Sequence, residues 1–465
     1  MSSTLDTSVL EQFKWERQPG AQQFVNQQVD ALLARIPAAA AFAKRLHAEA
    51  SVRFVDMVDT ILLRSSNVDR KDLASRGWTA ESSYRGWTLL DNELGMFPTI
   101  ALADKLPAGA VSIHMKVEYV ADFLLTHNLT RDITGEPYAR YRFAELWCNG
   151  DFSLAAVERH GHQGFWTENR PKPGDVLDVL ESFRLRPRFV DDDRTGFDEA
   201  LRRIDAGIAK IGRGYTCDLW FSAEREYWMK RNLAARVQKA RQDKLGIGWA
   251  NHDHHTYRSS RESFPQLVAV WEKLGFHCRE RFYAGMEAGW GAQVMEDPVT
   301  RIITFNDVDM SPEELMGDFS HEGFKEKRNK LGTVGLWCGL HGEAFLQAGM
   351  HHLEAQFDFH TLTSQLEKDH GIKTMKPFTN FEYLTQAFTE GERWPVAEGR
   401  IAKLLNAGMI TPEQAQQFRE RGAIGSHLEN LERNEGFKGF NQQGVSEIIA
   451  ATDPRKLVKN LAAAH

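Results

Sequence analysis

Apolar positions along the chain fall into two rhythms. In the first part the rhythm is helical. Phe24, Val25, Val29, Ala31, Leu32 and Leu33 recur at helical spacing, and after Pro37 an alanine-rich stretch runs through Phe42, Leu46 and Ala50 towards Val55, Val58, Ile61 and Leu62. This predicts a helical N-terminal region, residues 1–105. From 106 the pattern becomes strand-like. Ala110–Val117 reads as a strand, and Tyr138–Trp147 and Phe152–Arg159 read as a pair joined by the turn Cys148-Asn149-Gly150-Asp151. The breaker cluster Pro171-Lys172-Pro173-Gly174 then introduces helical stretches up to 245, so 106–245 is expected to be a β-rich, repeat-like unit plus a helical connector.

The next segment is the most regular. Asn251–Ser260 alternates as a half-buried strand does. Phe264–Leu274 follows at helical spacing, with Gly275 as its stop, and Cys278–Tyr283, Gly291–Glu296 and Arg301–Asn306 read as three further strands. The sequence strand then helix comes again at Met350–Phe357 and Leu362–His370, which ends at Gly371-Ile372. A coarse internal repeat of this kind suits a core of two like modules, assigned to 246–410. Thr411-Pro412 then marks a new helix, and Asn434–Gly444 is a glycine-bearing loop suited to folding over a pocket. Together they define a C-terminal helical segment and loop, 411–465. The fold class expected is α+β.

Charge and cysteine content narrow the function classes. The formal net charge of −7 argues against a nucleic-acid partner, and the basic run Arg225–Lys244 is interrupted by Glu226 and Asp243, as a solvated helix face would be. No apolar run is long enough to span a bilayer. The N-terminal residues lack the basic-then-apolar order of a signal peptide, and the four cysteines are scattered without a CxxC pair. A cytoplasmic protein is expected, with no nucleic-acid or membrane partner.

The chemistry concentrates in histidines. Three of the 17 lie in Asn251–Ser260, and a second pair, His351-His352, opens the second strand-helix pass. Two histidines from separate strands plus one carboxylate make the facial triad of non-haem Fe(II) enzymes, which leaves the opposite face open for a bidentate substrate and O2. His254, His352 and one glutamate are the candidate ligands. Arg258 lies four positions after His254, an even offset that puts both on one strand face, where a guanidinium can take a substrate carboxylate or a neighbouring acid. Two readings stand for the earlier β-rich unit: a degenerate repeat that buries a surface of the catalytic half, or a site in which His160 of Glu158-Arg159-His160-Gly161 is itself a ligand.

These residues resemble a known family, the 2-oxoadipate dioxygenase/decarboxylase (2-hydroxyglutarate synthase) family of the vicinal-oxygen-chelate superfamily. The similarity lies in His254, Arg258 and Leu274-Gly275-Phe276; in His352 and Gly371-Ile372; in Arg393-Trp394, Glu398 and Thr411-Pro412, with an insertion after Glu398; and in the loop Glu435–Gly444. It covers roughly 250–445. It implies β-α-β-β-β modules forming a metal-binding half-barrel with helical additions at both ends. It also implies Fe(II) held by His254, His352 and Glu398, Arg258 as the catalytic residue on the substrate carboxylate, and Phe440 and Asn441 over the substrate. The implied reaction is oxidative decarboxylation and hydroxylation of a 2-oxo acid with O2. Two rivals keep the fold: ring cleavage or a glyoxalase-like isomerisation, and a binding module without catalysis.

Overall fold

The computed structural model describes residues 15–106, 111–167, 171–284, 289–441, 444–445, 448 and 453–455. Helices α1 (Pro19–Arg35) and α2 (Pro37–Ala50) open it, each with proline in its first turn, where the missing N–H costs nothing. A strand-helix-strand-strand-strand unit follows at once: β1 (Val58–Arg64), α3 (Arg70–Ser75), β2 (Trp78–Tyr84), β3 (Trp87–Asn92) and β4 (Thr99–Ala103). The helical expectation for 1–105 is therefore corrected beyond Ala50. Val58, Ile61 and Leu62 had continued the helical rhythm, but every residue from Val58 to Leu63 is buried, and a strand covered on both faces carries no period that would separate it from a helix.

The second unit is β5 (Val111–Lys116), α4 (Val120–Thr126), β6 (Tyr141–Asn149) and β7 (Phe152–Arg159). The two units share one sheet of seven strands in the order β2-β3-β4-β1-β5-β7-β6. Four helices then connect to the second half: α5 (Pro173–Arg184), α6 (Asp193–Ile211), α7 (Arg213–Met229) and α8 (Leu233–Asp243).

The second half repeats the plan. Its first unit is β8 (His252–Arg258), α9 (Phe264–Leu274), β9 (His277–Tyr283), β10 (Trp290–Glu296) and β11 (Ile303–Asp309). After α10 (Thr333–His341) comes a second unit, made of β12 (His352–Gln356), α11 (Phe359–His370), β13 (Thr379–Phe381), β14 (Leu384–Phe388) and β16 (Ala423–Arg433). Between β14 and β16 the chain makes an excursion through β15 (Glu392–Trp394), α12 (Glu398–Asn406) and α13 (Pro412–Arg421). The path through this nine-stranded sheet is β13-β14-β16-β12-β8-β11-β10-β9, with β15 paired to β16. The core thus runs past 410 to Arg433, because the strand that completes its last module lies beyond α13. Thr411 caps that helix in a reciprocal bond with Gln414.

In both sheets the first strand of each unit pairs in parallel with its last, β1 with β4, β5 with β7, β8 with β11 and β12 with β16. The first strands meet antiparallel at the centre, β1 against β5 and β8 against β12. This is the α+β architecture of vicinal-oxygen-chelate modules, each sheet a curled half-barrel. Parallel partners need a crossover, and the helix in each unit supplies it. In the second half α9 shows why the odd and even residues of β8 have different fates. Phe264, Leu267, Val268, Val270, Trp271 and Leu274 are fully buried. Trp271 meets Tyr257, and His255 meets Phe221 of α7. The helix-covered face takes His255 and Tyr257, which leaves His254, Thr256 and Arg258 on the other, concave face.

Candidate metal centre

The central strands of the second sheet bring the chemistry together. Thr256 stands opposite His352 across the β8–β12 pair, and β16 runs in register with β12, so that His427 faces His352 and Glu429 faces Glu354. Alternation then places His254, His352, Glu354 and Glu429 on one face. All four are buried, none more than 6% exposed. His352 Nε2 lies 3.1 Å from Glu429 Oε2 and 3.4 Å from Glu354 Oε1, and His254 Nε2 is in close contact with Glu354 Oε2. Gln386 of β14 donates to the remaining oxygen of Glu429 at 3.1 Å.

Burial sets the protonation states. It pushes His352 down to about 4 against the opposing pull of Glu429, and it lowers His254 despite Asp253. Both imidazoles are neutral near pH 7, the state a metal ligand needs. Burial, and then the charge of Glu429, raise Glu354 well above the usual carboxylate range. Behind His254 stands Asp253, with Oδ1 3.6 Å from His254 Nδ1 and Oδ2 accepting from Arg433 Nε at 3.1 Å. Burial alone would raise Asp253, but Arg433 and His254 hold it low, so a carboxylate charge stands behind the His254 ring.

The residues fit a divalent metal. His254 Nε2 and Glu354 Oε2 are buried and press on each other with no hydrogen bond to any described residue, and ligand atoms of His352, Glu354 and Glu429 lie within 4.8 Å of one another. Unsatisfied buried donors and acceptors of this kind are costly unless something binds them.

Of the expected ligands, His254 and His352 come together, but Glu398 does not join them. It is the first residue of α12, its side chain is 63% exposed, and it takes three bonds from Arg419 of α13 at 2.7–3.2 Å. The segment after Arg393-Trp394 leaves the sheet as a helical excursion, so a glutamate at its start points to solvent, and the carboxylate beside His352 belongs to the strand that follows. Strand spacing alone does not single out Glu429 or Glu354 as ligands. The signal was present: the tripeptide His-Leu-Glu occurs at 352–354 and again at 427–429, and these are the residues that pair in register.

Arg258 lies on the same face as His254 and is buried. Its Nε is 3.6 Å from Asp307 Oδ2, without a hydrogen bond, and its guanidinium sits 5.6 Å over the Trp337 ring. Burial raises Asp307 to about 7 even beside this cation. Phe440 packs edge-on against His254, ring centres 5.2 Å apart, and against Phe305 at 5.0 Å. Asn441 does a different job. Its Nδ2 donates to the Phe378 carbonyl at 3.0 Å and its Oδ1 accepts from Gly444 N at 3.2 Å, which holds the loop. His160 is apart from the cluster, bonded at 3.0 Å to both Glu158 and Asp218 and stacked on Tyr215.

No protein-family model matches the chain, and no curated protein matches it in sequence. Among solved structures it is similar to a mutant of 4-hydroxymandelate synthase from Streptomyces coelicolor, at 12% identity over 90% of this chain and 95% of that one, with a TM-score of 0.27. A protein from Ralstonia eutropha JMP134 described as of the glyoxalase superfamily is 11% identical over 57% of this chain and 96% of that one, TM-score 0.31. Methylmalonyl-CoA epimerase from Mycobacterium tuberculosis is 10% identical over 40% and 88%, TM-score 0.23. Values this low carry no argument for function, and the fold assignment stands on the strand order and pairing.

Proposed function

We propose that the protein is an Fe(II)-dependent dioxygenase that oxidatively decarboxylates and hydroxylates a 2-oxo acid. The observation that carries the reading is the convergence of His254, His352 and Glu429 from three adjacent strands, with Arg258 buried on the same face. Two neutral imidazoles and one carboxylate are the donor set of non-haem iron, with Glu429 in the place first expected of Glu398. When bound, the iron supplies the redox chemistry and open positions for an oxo acid and O2.

The side chains do the rest. Arg258, poorly matched to Asp307, takes the substrate carboxylate. Phe305, Phe388 and Phe440 wall the site with rings that exclude water. Glu354, its carboxyl raised by burial and by Glu429, lines the same site. For 2-oxoadipate the products are 2-hydroxyglutarate and CO2, both oxygen atoms of O2 being consumed. The test is oxygen uptake by anaerobically purified, Fe(II)-loaded protein with a series of 2-oxo acids; no uptake with any of them overturns the reading.

Glu354 favours a second reading. With both carboxylates ionised, two histidines and two glutamates would fill more of the metal's coordination and suit a glyoxalase-like isomerisation, with one glutamate moving a proton. Activity with zinc or nickel and without O2 would identify it.

A further inference from the structure

One cavity does not open on the metal centre. It holds about 700 Å³ and lies between the concave face of the first sheet and the near ends of the second. Its wall carries Lys116 of β5, Arg225 of α7 and His252 at the start of β8. Lys116 occupies a telling position. On β5 it comes two residues after His114, and His114 faces Thr60 across β1 and Ala155 across β7. His352 faces Thr256 and His427 in the same way, so Lys116 stands in the first sheet where Glu354 stands in the second.

Most charges lining this cavity are already matched. Asp59 is bound through both oxygens by Arg159, at 2.8 and 2.7 Å. Asp253 is held by Arg433, Asp91 by Arg301, Glu296 by Arg279, Asp218 by His160 and Glu118 by Lys239. Among the described residues Lys116 makes no ion pair or hydrogen bond, its pKa lowered by burial against the pull of Asp59, and Arg225 has no carboxylate, only the ring nitrogen of His255 at 3.2 Å. Arg225 is 7% exposed, and Arg225, Lys116 and His252 all line the one cavity. Unmatched cations in a walled chamber are costly, and an anion entering it recovers that cost.

We infer that the first half-barrel is a binding site for a small dianion, a dicarboxylate or a phosphate monoester, held by Lys116 and Arg225. It gives the half whose described residues form no metal-ligand cluster a ligand site of its own, and it stands whether or not the metal reading holds. Lys116 supplies a point charge and Arg225 a planar fork, a pairing that suits oxyanions of either kind.

Calorimetric titration of the full chain with inorganic phosphate, malonate and glutarate tests it, with Trp249 in the cavity wall as a fluorescence reporter. Saturable one-to-one binding of phosphate alone would mark a phosphate site, and of the acids a dicarboxylate site. Lys116→Met and Arg225→Gln should each weaken binding about tenfold or more, Lys116→Arg should retain it, and Arg258→Leu and His352→Ala should leave it unchanged. Absence of saturable binding by all three probes at millimolar concentration overturns the site. So does equal affinity in Lys116→Met, or binding lost in Arg258→Leu, which would place the anion at the metal centre.

Discussion

The two half-barrels share their plan and differ in what their concave faces carry. Aligned through the central pair, Thr60 corresponds to Thr256 and His114 to His352. Two residues further along each strand the chemistry parts: Leu62 lies where Arg258 does, Lys116 where Glu354 does and Val157 where Glu429 does. One histidine survives in the first sheet, and it is committed elsewhere: His114 Nδ1 is bonded to the Tyr141 hydroxyl at 2.6 Å, and burial holds it down at about 4. A half-barrel is therefore only a frame. It aims three strands at one point, and whether that point binds a metal rests on the residues at a few alternate positions. Among the described residues His160 does not join the cluster of His352, Glu354 and Glu429.

The largest test of the contrast is metal affinity. His352→Ala or Glu429→Gln should lower Fe(II) affinity by more than the roughly 10–100-fold that loss of an outer-shell partner costs. His114→Ala should leave metal content unchanged, as read by elemental analysis of anaerobically purified protein. Equal loss in both would break the contrast.

Next is Arg258→Leu, which gives the second sheet the residue of the first. It should retain metal and raise the KM for a 2-oxo acid by about 10–100-fold, the worth of a buried charge-assisted bond.

The first half should reveal its own electrostatics in the pH dependence of stability. His160 is raised to about 9; burial opposes this, but bonds to Asp218 and Glu158 prevail. A group whose folded value lies above its unfolded one stabilises fully below about pH 6.5, and that contribution is lost as pH rises through about 9. The stake is about 3 kcal/mol at most. Melting curves at acid and alkaline ends of that window should show His160→Gln flattening the slope, while His352→Ala leaves it.

The smallest effect is expected of Glu398→Ala. A solvent-exposed pair with Arg419 contributes little, so melting temperature and metal content should both hold. Loss of iron in that variant would restore Glu398 as a ligand and displace Glu429.

Much of the second half was legible. The strand Asn251–Ser260, the helix to Leu274 with its glycine stop, and the repeat at His352 all carry strong local periodicity, and their boundaries differ from the structure by only a few residues. His254 and Arg258 share a face by simple alternation. The unit at 58–103 was not legible, because strands buried on both sides, such as Val58–Leu63, lack a polar period, while its edge strand Trp78–Tyr84 is mostly exposed and has no apolar alternation to mark it.

Local spacing is enough to reveal two like modules after 246 and the histidine strand of each, because secondary structure and facing follow from it. The carboxylate that stands beside His352 could not be read that way. Glu398 is nearer to His352 along the chain than Glu429 is, but β16 returns from a two-helix excursion to pair in register with β12 and sets Glu429 beside it. That pairing is a long-range choice of hydrogen-bond partners and buried surface, and no local pattern encodes its register.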